Sequence, residues 1–142
     1  MGSGNMARNL VLGFFAIGIA LALYQAFAPD ETAGGLTVIV PELSAQTRQG
    51  NALFDNTCAT CHGTNAAGTD AGPPLVHDIY NPGHHPDSSF LSAVRNGVPQ
   101  HHWPFGNMPR QELVSDEDVV KIVSYVRELQ AANGIAYRPH NM

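Results

Sequence analysis

"CATCH" occupies residues 58–62, and its reading decides what this chain folds around. Cys58 and Cys61 are the only 2 cysteines in 142 residues, and His62 follows the second directly. Such spacing serves a redox dithiol, half of a zinc site, or covalent haem attachment. The residues leading into the motif help to discriminate. Gly50, Phe54 and Cys58 recur every four residues with Leu53 alongside, which describes a helix face. A thioredoxin-like dithiol would instead follow a strand within a βαβ unit. Zinc needs two further ligands, usually from a second close pair. No second cysteine pair exists, although His77, His84, His85, His101, His102 and His140 are open to recruitment. Haem attachment has a geometric basis. Thiols at i and i+3 stand about one helical turn apart, where they can form thioethers to two haem vinyl groups. The next histidine, His62, is then carried over the iron as its proximal ligand.

Compartment sharpens the choice. Leu10 to Ala28, "LVLGFFAIGIALALYQAFA", carries no charge over a span close to the ~20 residues a membrane helix needs. Arg8 precedes it, and Asp30 and Glu31 follow, so the positive-inside tendency keeps residues 1–9 cytoplasmic and exports the rest. A buried core helix is one alternative, disfavoured because the run is apolar on every face at the extreme amino terminus. The competing reading is a cleaved signal at Ala26-Phe27-Ala28, but Pro29 follows and the run outlasts the usual signal core. The expectation is a transmembrane anchor at 10–28 in the inner (cytoplasmic) membrane, with the rest in the periplasm. There two neighbouring thiols would pair, bind metal or be consumed covalently.

Residues 29–43, "PDETAGGLTVIVPEL", read as a linker, with "LTVIV" either a strand or a patch pressed on the domain. Residues 44–142 then form one small domain without internal repeat. A domain of ~100 residues has a limited core and gains much from a buried prosthetic group.

Haem implies further features. A ligating histidine donates its other ring N–H to a fixed acceptor. In "GPPL", 72–75, the carbonyl of Pro73 is the first candidate and that of Pro74 the second; a rigid turn is the alternative role. The sixth ligand should lie downstream. Met108 in "GNMP" is the well-placed sulfur, since Met6 precedes the apolar run and Met142 is terminal. A lone methionine is often core filler, and His101 or His102 stands second as ligand. Ser115 and Asp118 open a helix with three acids in its first turn, where the dipole favours them. Val119, Ile122, Val126 and Leu129 form its stripe and Gly134 its stop. A shorter helix runs from about Ser88 to Asn96, ending at Gly97. The domain is therefore mostly helical, its loops wrapping something central.

Over roughly residues 44–133 the chain resembles the class I c-type cytochromes in their small, membrane-anchored bacterial form. The resemblance rests on Gly50 and Phe54 ahead of CATCH, then Gly72-Pro73, Met108-Pro109, and Tyr125 in the last helix. It implies an all-α cytochrome c fold around one covalent haem c, with His62 and Met108 as axial ligands. It also implies that the first and last helices of the domain cross where Gly50 and Phe54 meet Tyr125. The activity implied is one-electron transfer between membrane redox complexes, respiratory or photosynthetic. A six-coordinate iron leaves no position for substrate, so no enzyme is expected; a haem peroxidase would follow only if Met108 does not ligate.

Three features depart from the better-known soluble members. Lys121 is the sole lysine, the apolar run precedes the domain, and His-His pairs stand at 84–85 and 101–102. These pairs suit exposed or hydrogen-bonding roles, or a second metal such as copper. Trp103 either donates its indole N–H to a haem propionate or simply packs. A fixed subunit of a larger oxidoreductase remains an alternative to a free carrier. The chain carries −5 at neutral pH, and all 12 acidic residues follow Ala28. A neutral-apolar or basic partner surface is therefore expected, with no nucleic acid.

Overall fold

The computed structural model describes residues 3–27 and 36–139. Residues 28–35 of the expected anchor and linker, and His140, lie outside the described residues. The chain divides into two units, Met1–Glu31 and Thr32–Met142.

The first unit carries helix α1, Ser3–Phe27, whose 25 residues begin earlier than the expected start at Leu10. Its side chains from Arg8 to Tyr24 are all exposed, including Phe14, Phe15 and Ile17. Among the described residues, no helix is long and apolar enough to cross a membrane. The transmembrane helix expected at 10–28 is thus not established by the structure. The described side chains stop short of the ~20 residues that a bilayer requires.

The second unit is all-α among its described residues. Helices α2 (Ala45–Thr57), α3 (Ala59–His62), α4 (Asp87–Asn96) and α5 (Asp116–Ala132) are joined by two 3-10 turns, Thr64–Ala66 and Asp78–Tyr80. Among the described residues, pairing is limited to two isolated bridges, Thr69 with Gly72 and Val98 with Met108. The capping chemistry is local. Ser44 Oγ accepts from the Thr47 N–H at 3.2 Å to open α2, and Ser115 Oγ accepts from the Asp118 N–H at 3.2 Å to open α5. α4 begins one residue before the expected Ser88, after Pro86 at its N-cap. Gly97 and Gly134 follow α4 and α5 with φ of 73° and 76°, as stop signals should.

α2 and α5 form the principal packing contact. The expected stripe of α5 is buried at Val119, Ile122, Val126 and Leu129, and Val123, Tyr125 and Gln130 join it. The crossing needs a glycine. A Cβ on Gly50 would stand 2.0 Å from the Lys121 carbonyl oxygen and 3.0 Å from Tyr125 Cβ. Beside that contact the Phe54 and Tyr125 rings, both fully buried, meet at 5.6 Å and 60°. The crossing implied by the resemblance is therefore present, on the residues named for it.

"LTVIV" is a pressed patch, not a strand. Leu36 N–H donates to the Ala67 carbonyl at 2.8 Å, and Val38 and Leu43 pack against the core. The Asn133 amide brackets Ile39, accepting from its N–H at 2.9 Å and donating to its carbonyl at 2.8 Å. This satisfies the segment's backbone without a strand partner.

Candidate functional site

α2 ends at Thr57, and the chain turns at Cys58 into the single turn of α3, which carries CATCH. The Cys61 and His62 N–H groups both donate to the Cys58 carbonyl, at 3.1 and 2.9 Å. The following loop folds back over the motif. Gly68 N–H donates to the His62 carbonyl at 2.7 Å, and Thr69 Oγ1 donates to the Cys61 carbonyl at 2.6 Å. Gly72 lets the backbone close down, since a Cβ there would stand 2.8 Å from that same Cys61 carbonyl oxygen. Pro73 is thereby brought beside His62. The His62 Nδ1–H donates to the Pro73 carbonyl at 2.9 Å. A carbonyl only accepts, so the proton sits on Nδ1 and Nε2 keeps its lone pair. Burial lowers the His62 pKa, with the Pro73 bond opposing, so the ring is held neutral. Pro74, the second candidate, packs against Gly68 instead.

Cys58, His62, Pro73, Trp103 and Met108 line one cavity of about 450 Å³, whose apolar walls include Phe54, Leu75, Phe90, Ile122 and Val123. That volume lies within the ~300–1,000 Å³ of small-molecule and cofactor sites. Cys58 is half-buried; burial raises its thiol pKa, Thr57 opposes this and Cys61 adds to it. Cys61 is exposed at the edge of the motif. Met108 is held by a two-way backbone bridge, exchanging N–H and carbonyl with Val98 at 3.0 Å each. Its loop is closed from within, Gln100 N–H donating to Asn107 Oδ1 at 2.8 Å and Gly106 N–H to Gln100 Oε1 at 3.0 Å. The loop tethers to α4 where Gln111 N–H donates to the Val94 carbonyl at 2.8 Å.

Trp103 Nε1 is buried without a hydrogen-bond partner. The Tyr80 phenol stands close by; burial pushes its pKa up and its approach to Trp103 opposes this. An orphaned N–H beside a cofactor-sized cavity is a donor waiting for an acceptor.

The cavity-lining residues Tyr80, His85 and Phe90 are held by a residue that sequence reasoning missed. Arg127, mostly buried on α5, donates to Asp87 Oδ1 at 2.8 Å, to the Tyr80 carbonyl at 2.7 Å and to the His85 carbonyl. Its guanidinium also lies 4.9 Å over the Phe90 ring and donates to Gln130 Oε1 at 2.6 Å. Buried Gln130 in turn donates to the Leu75 carbonyl at 2.8 Å. Asp87, Tyr80 and His85 lie 40 to 47 positions from Arg127, so no local pattern could have marked it. The histidine pairs converge, with His84, His85 and His102 as one group and His101 against His102. His77 stands apart, edge-on to Trp103 at 5.1 Å, with its Nδ1 accepting from Ile79 N–H.

The model of the family described as cytochrome c matches residues 47–130, more than half of the chain. No individual curated protein matches the chain closely enough to count as a relative.

Proposed function

This chain belongs to the cytochrome c family, which binds haem c covalently, and from that premise we propose a membrane-tethered carrier of single electrons on the periplasmic side. One observation carries the reading of the site. His62, with its proton drawn to Pro73 and Nε2 left basic, shares a single cavity with Cys58 and Met108.

The residues fit one haem c. Cys58 and Cys61 would hold it through two thioethers, and His62 and Met108 would offer the ring nitrogen and the sulfur for its iron. The orphaned Trp103 N–H fits a propionate, a buried donor meeting an anionic acceptor. When bound, the haem supplies a reversible one-electron couple at its iron. The chain's part is positional. Pro73 fixes the His62 tautomer and ring orientation. The Val98 bridge holds the Met108 backbone, so its thioether does not depend on a mobile loop. The apolar wall of Phe54, Ile122 and Val123 keeps water from the cavity, and a dry, thioether-ligated site raises the potential. If His62 and Met108 both bound the iron, a substrate would find no open ligand position there.

Support for the tether is the uncharged run Leu10–Ala28 and the exposed apolar side chains around α1, which is ~37 Å long at 1.5 Å per residue. The donors and acceptors proposed are membrane redox complexes, respiratory or photosynthetic, and the lipid contact is through residues 10–28. A second reading has its own observation. His101 and His102 also line the cavity, so an imidazole is the competing distal ligand.

One pair of measurements on the purified protein tests these roles. Acid-organic denaturation should leave haem on the polypeptide, and haem that extracts cleanly would overturn attachment through Cys58 and Cys61. The oxidised protein should show the weak near-infrared band of a methionine–iron bond, lost in Met108→Ala. A band that survives that substitution, or a bis-histidine spectrum in the parent, would reject Met108.

A further inference from the structure

We propose that His84, His85 and His102 form a second metal site, for a late first-row divalent ion such as Cu²⁺ or Zn²⁺. The site lies on the rim of the cavity.

Each of the three offers a ring nitrogen, and these atoms all lie within 4.8 Å of one another. The His84 and His102 Nε2 atoms are 3.2 Å apart. Metal–imidazole bonds of ~2.0–2.1 Å at tetrahedral angles place ligand nitrogens ~3.3–3.4 Å apart, close to that separation. The His84–His102 pair is at that spacing already, and the His85 nitrogen lies within 4.8 Å of both. The rings stand around a common centre, with centroids 4.6, 5.2 and 5.3 Å apart.

The group is prepared as ligating histidines usually are. The His85 Nδ1–H donates to the Ile79 carbonyl at 2.7 Å, which leaves Nε2 as the basic atom. The neighbouring His101 repeats this, its Nδ1–H donating to the Pro99 carbonyl at 2.9 Å. The backbone beneath is also fixed. The His84 and His85 N–H groups donate to the Asn81 carbonyl at 3.1 and 2.8 Å, and Arg127 holds the His85 carbonyl.

An all-imidazole group selects copper or zinc over the oxygen-seeking magnesium and calcium. Binding would clasp the turn at 84–85 to the loop carrying His102 and Met108, across 18 positions of sequence. The iron-ligand assignment enters only through His102.

The test uses the tag-free, haem-loaded full chain in detergent, in its oxidised form, titrated with Cu²⁺ alone. One equivalent should bind, with nitrogen hyperfine splitting in the copper electron-spin resonance, and should raise the thermal midpoint. Affinity should fall at least about tenfold in His84→Gln or His102→Gln, and further in the double variant. An unchanged haem absorption spectrum in those variants shows that the domain remains folded. Equal copper affinity in parent and double variant would mean adventitious surface binding and overturn the site. Absence of binding below about 1 mM would leave a hydrogen-bonded cluster only, and overturn it too. A bis-histidine haem spectrum abolished by His102→Gln would assign that imidazole to the iron instead.

Discussion

Tyr125 shows how one buried polar side chain ties the site to stability. Its ring is fully buried against Phe54, and its hydroxyl donates to Asn65 Oδ1 at 3.2 Å. Asn65 adopts a left-handed φ of 54°, a conformation asparagine tolerates better than most residues. Burial, with the charge of Asp55 adding to it, pushes the phenol up to about 12 from an ordinary 10.0. The unfolded chain therefore releases this proton first as pH rises. Below pH ~10 both states keep it and stability is unaffected; between ~10 and ~12 stability falls with pH. The loss is at most on the order of 3 kcal/mol, because each unit of pKa is worth about 1.4 kcal/mol. Tyr125→Phe should flatten this alkaline slope, at a cost of about 1 kcal/mol at neutral pH for the lost hydrogen bond. Denaturant unfolding of both proteins across the alkaline range measures the difference. Equal slopes would place the alkaline loss elsewhere.

Between elements, the decisive contact is α2 against α5. Gly50 meets the Lys121 backbone, which cannot rotate away as a side chain would. Gly50→Ala must therefore separate the helices, and the gain in helix propensity, about 1 kcal/mol at most, does not offset this. A net loss of about 1–3 kcal/mol is expected from overpacking, with loosened contact between Phe54 and Tyr125. Chemical unfolding of the haem-loaded variant, followed at the haem absorbance, provides the check. A variant as stable as the parent would show that the crossing is more compliant than its geometry implies. Arg127 works at the same scale by a different route. It satisfies two loop carbonyls and pairs with Asp87 on α4, so the 78–86 segment and α4 are fastened to α5 through one guanidinium. Lysine, with a single point charge, could not make this fork.

At the scale of the whole molecule the net charge and the proposed tether would act together. The charge of −5 includes Arg8, so the segment after Ala28 is one unit more negative than the chain. The propionates of a bound haem add to that. Like charges slow encounter, so a strongly acidic partner surface is disfavoured and a neutral-apolar or basic one suits an exposed haem edge. A tether raises the local concentration of carrier near its partners, which lessens the need for steering. With residues 1–28 removed, electron transfer to the isolated native partner should stay level or slow as ionic strength rises. A rate climbing steeply with salt would reveal a repulsive acidic partner and reject this docking surface.

Much of the site was legible because its chemistry is local. The thiol spacing and adjacent imidazole of CATCH lie within five residues, and the caps and stripes of α5 repeat over a few turns. Ser115, Gly97 and Gly134 act at their own positions, so reading them needed no knowledge of the fold. The Pro73 acceptor was legible too, because its loop returns to His62 over only 11 positions. What the tertiary structure decided is which distant segments meet. Asn133 holds Ile39 across 94 positions, a contact that makes a patch of "LTVIV" rather than a strand. The Arg127 fork and the convergence of His84 and His85 with His102 arise in the same way. Each pair is separated by loops whose reversal depends on where α4 and α5 pack, and hydrophobic periodicity carries no record of that. Local propensity and covalent spacing are properties of neighbours in sequence, whereas these contacts are properties of neighbours in space.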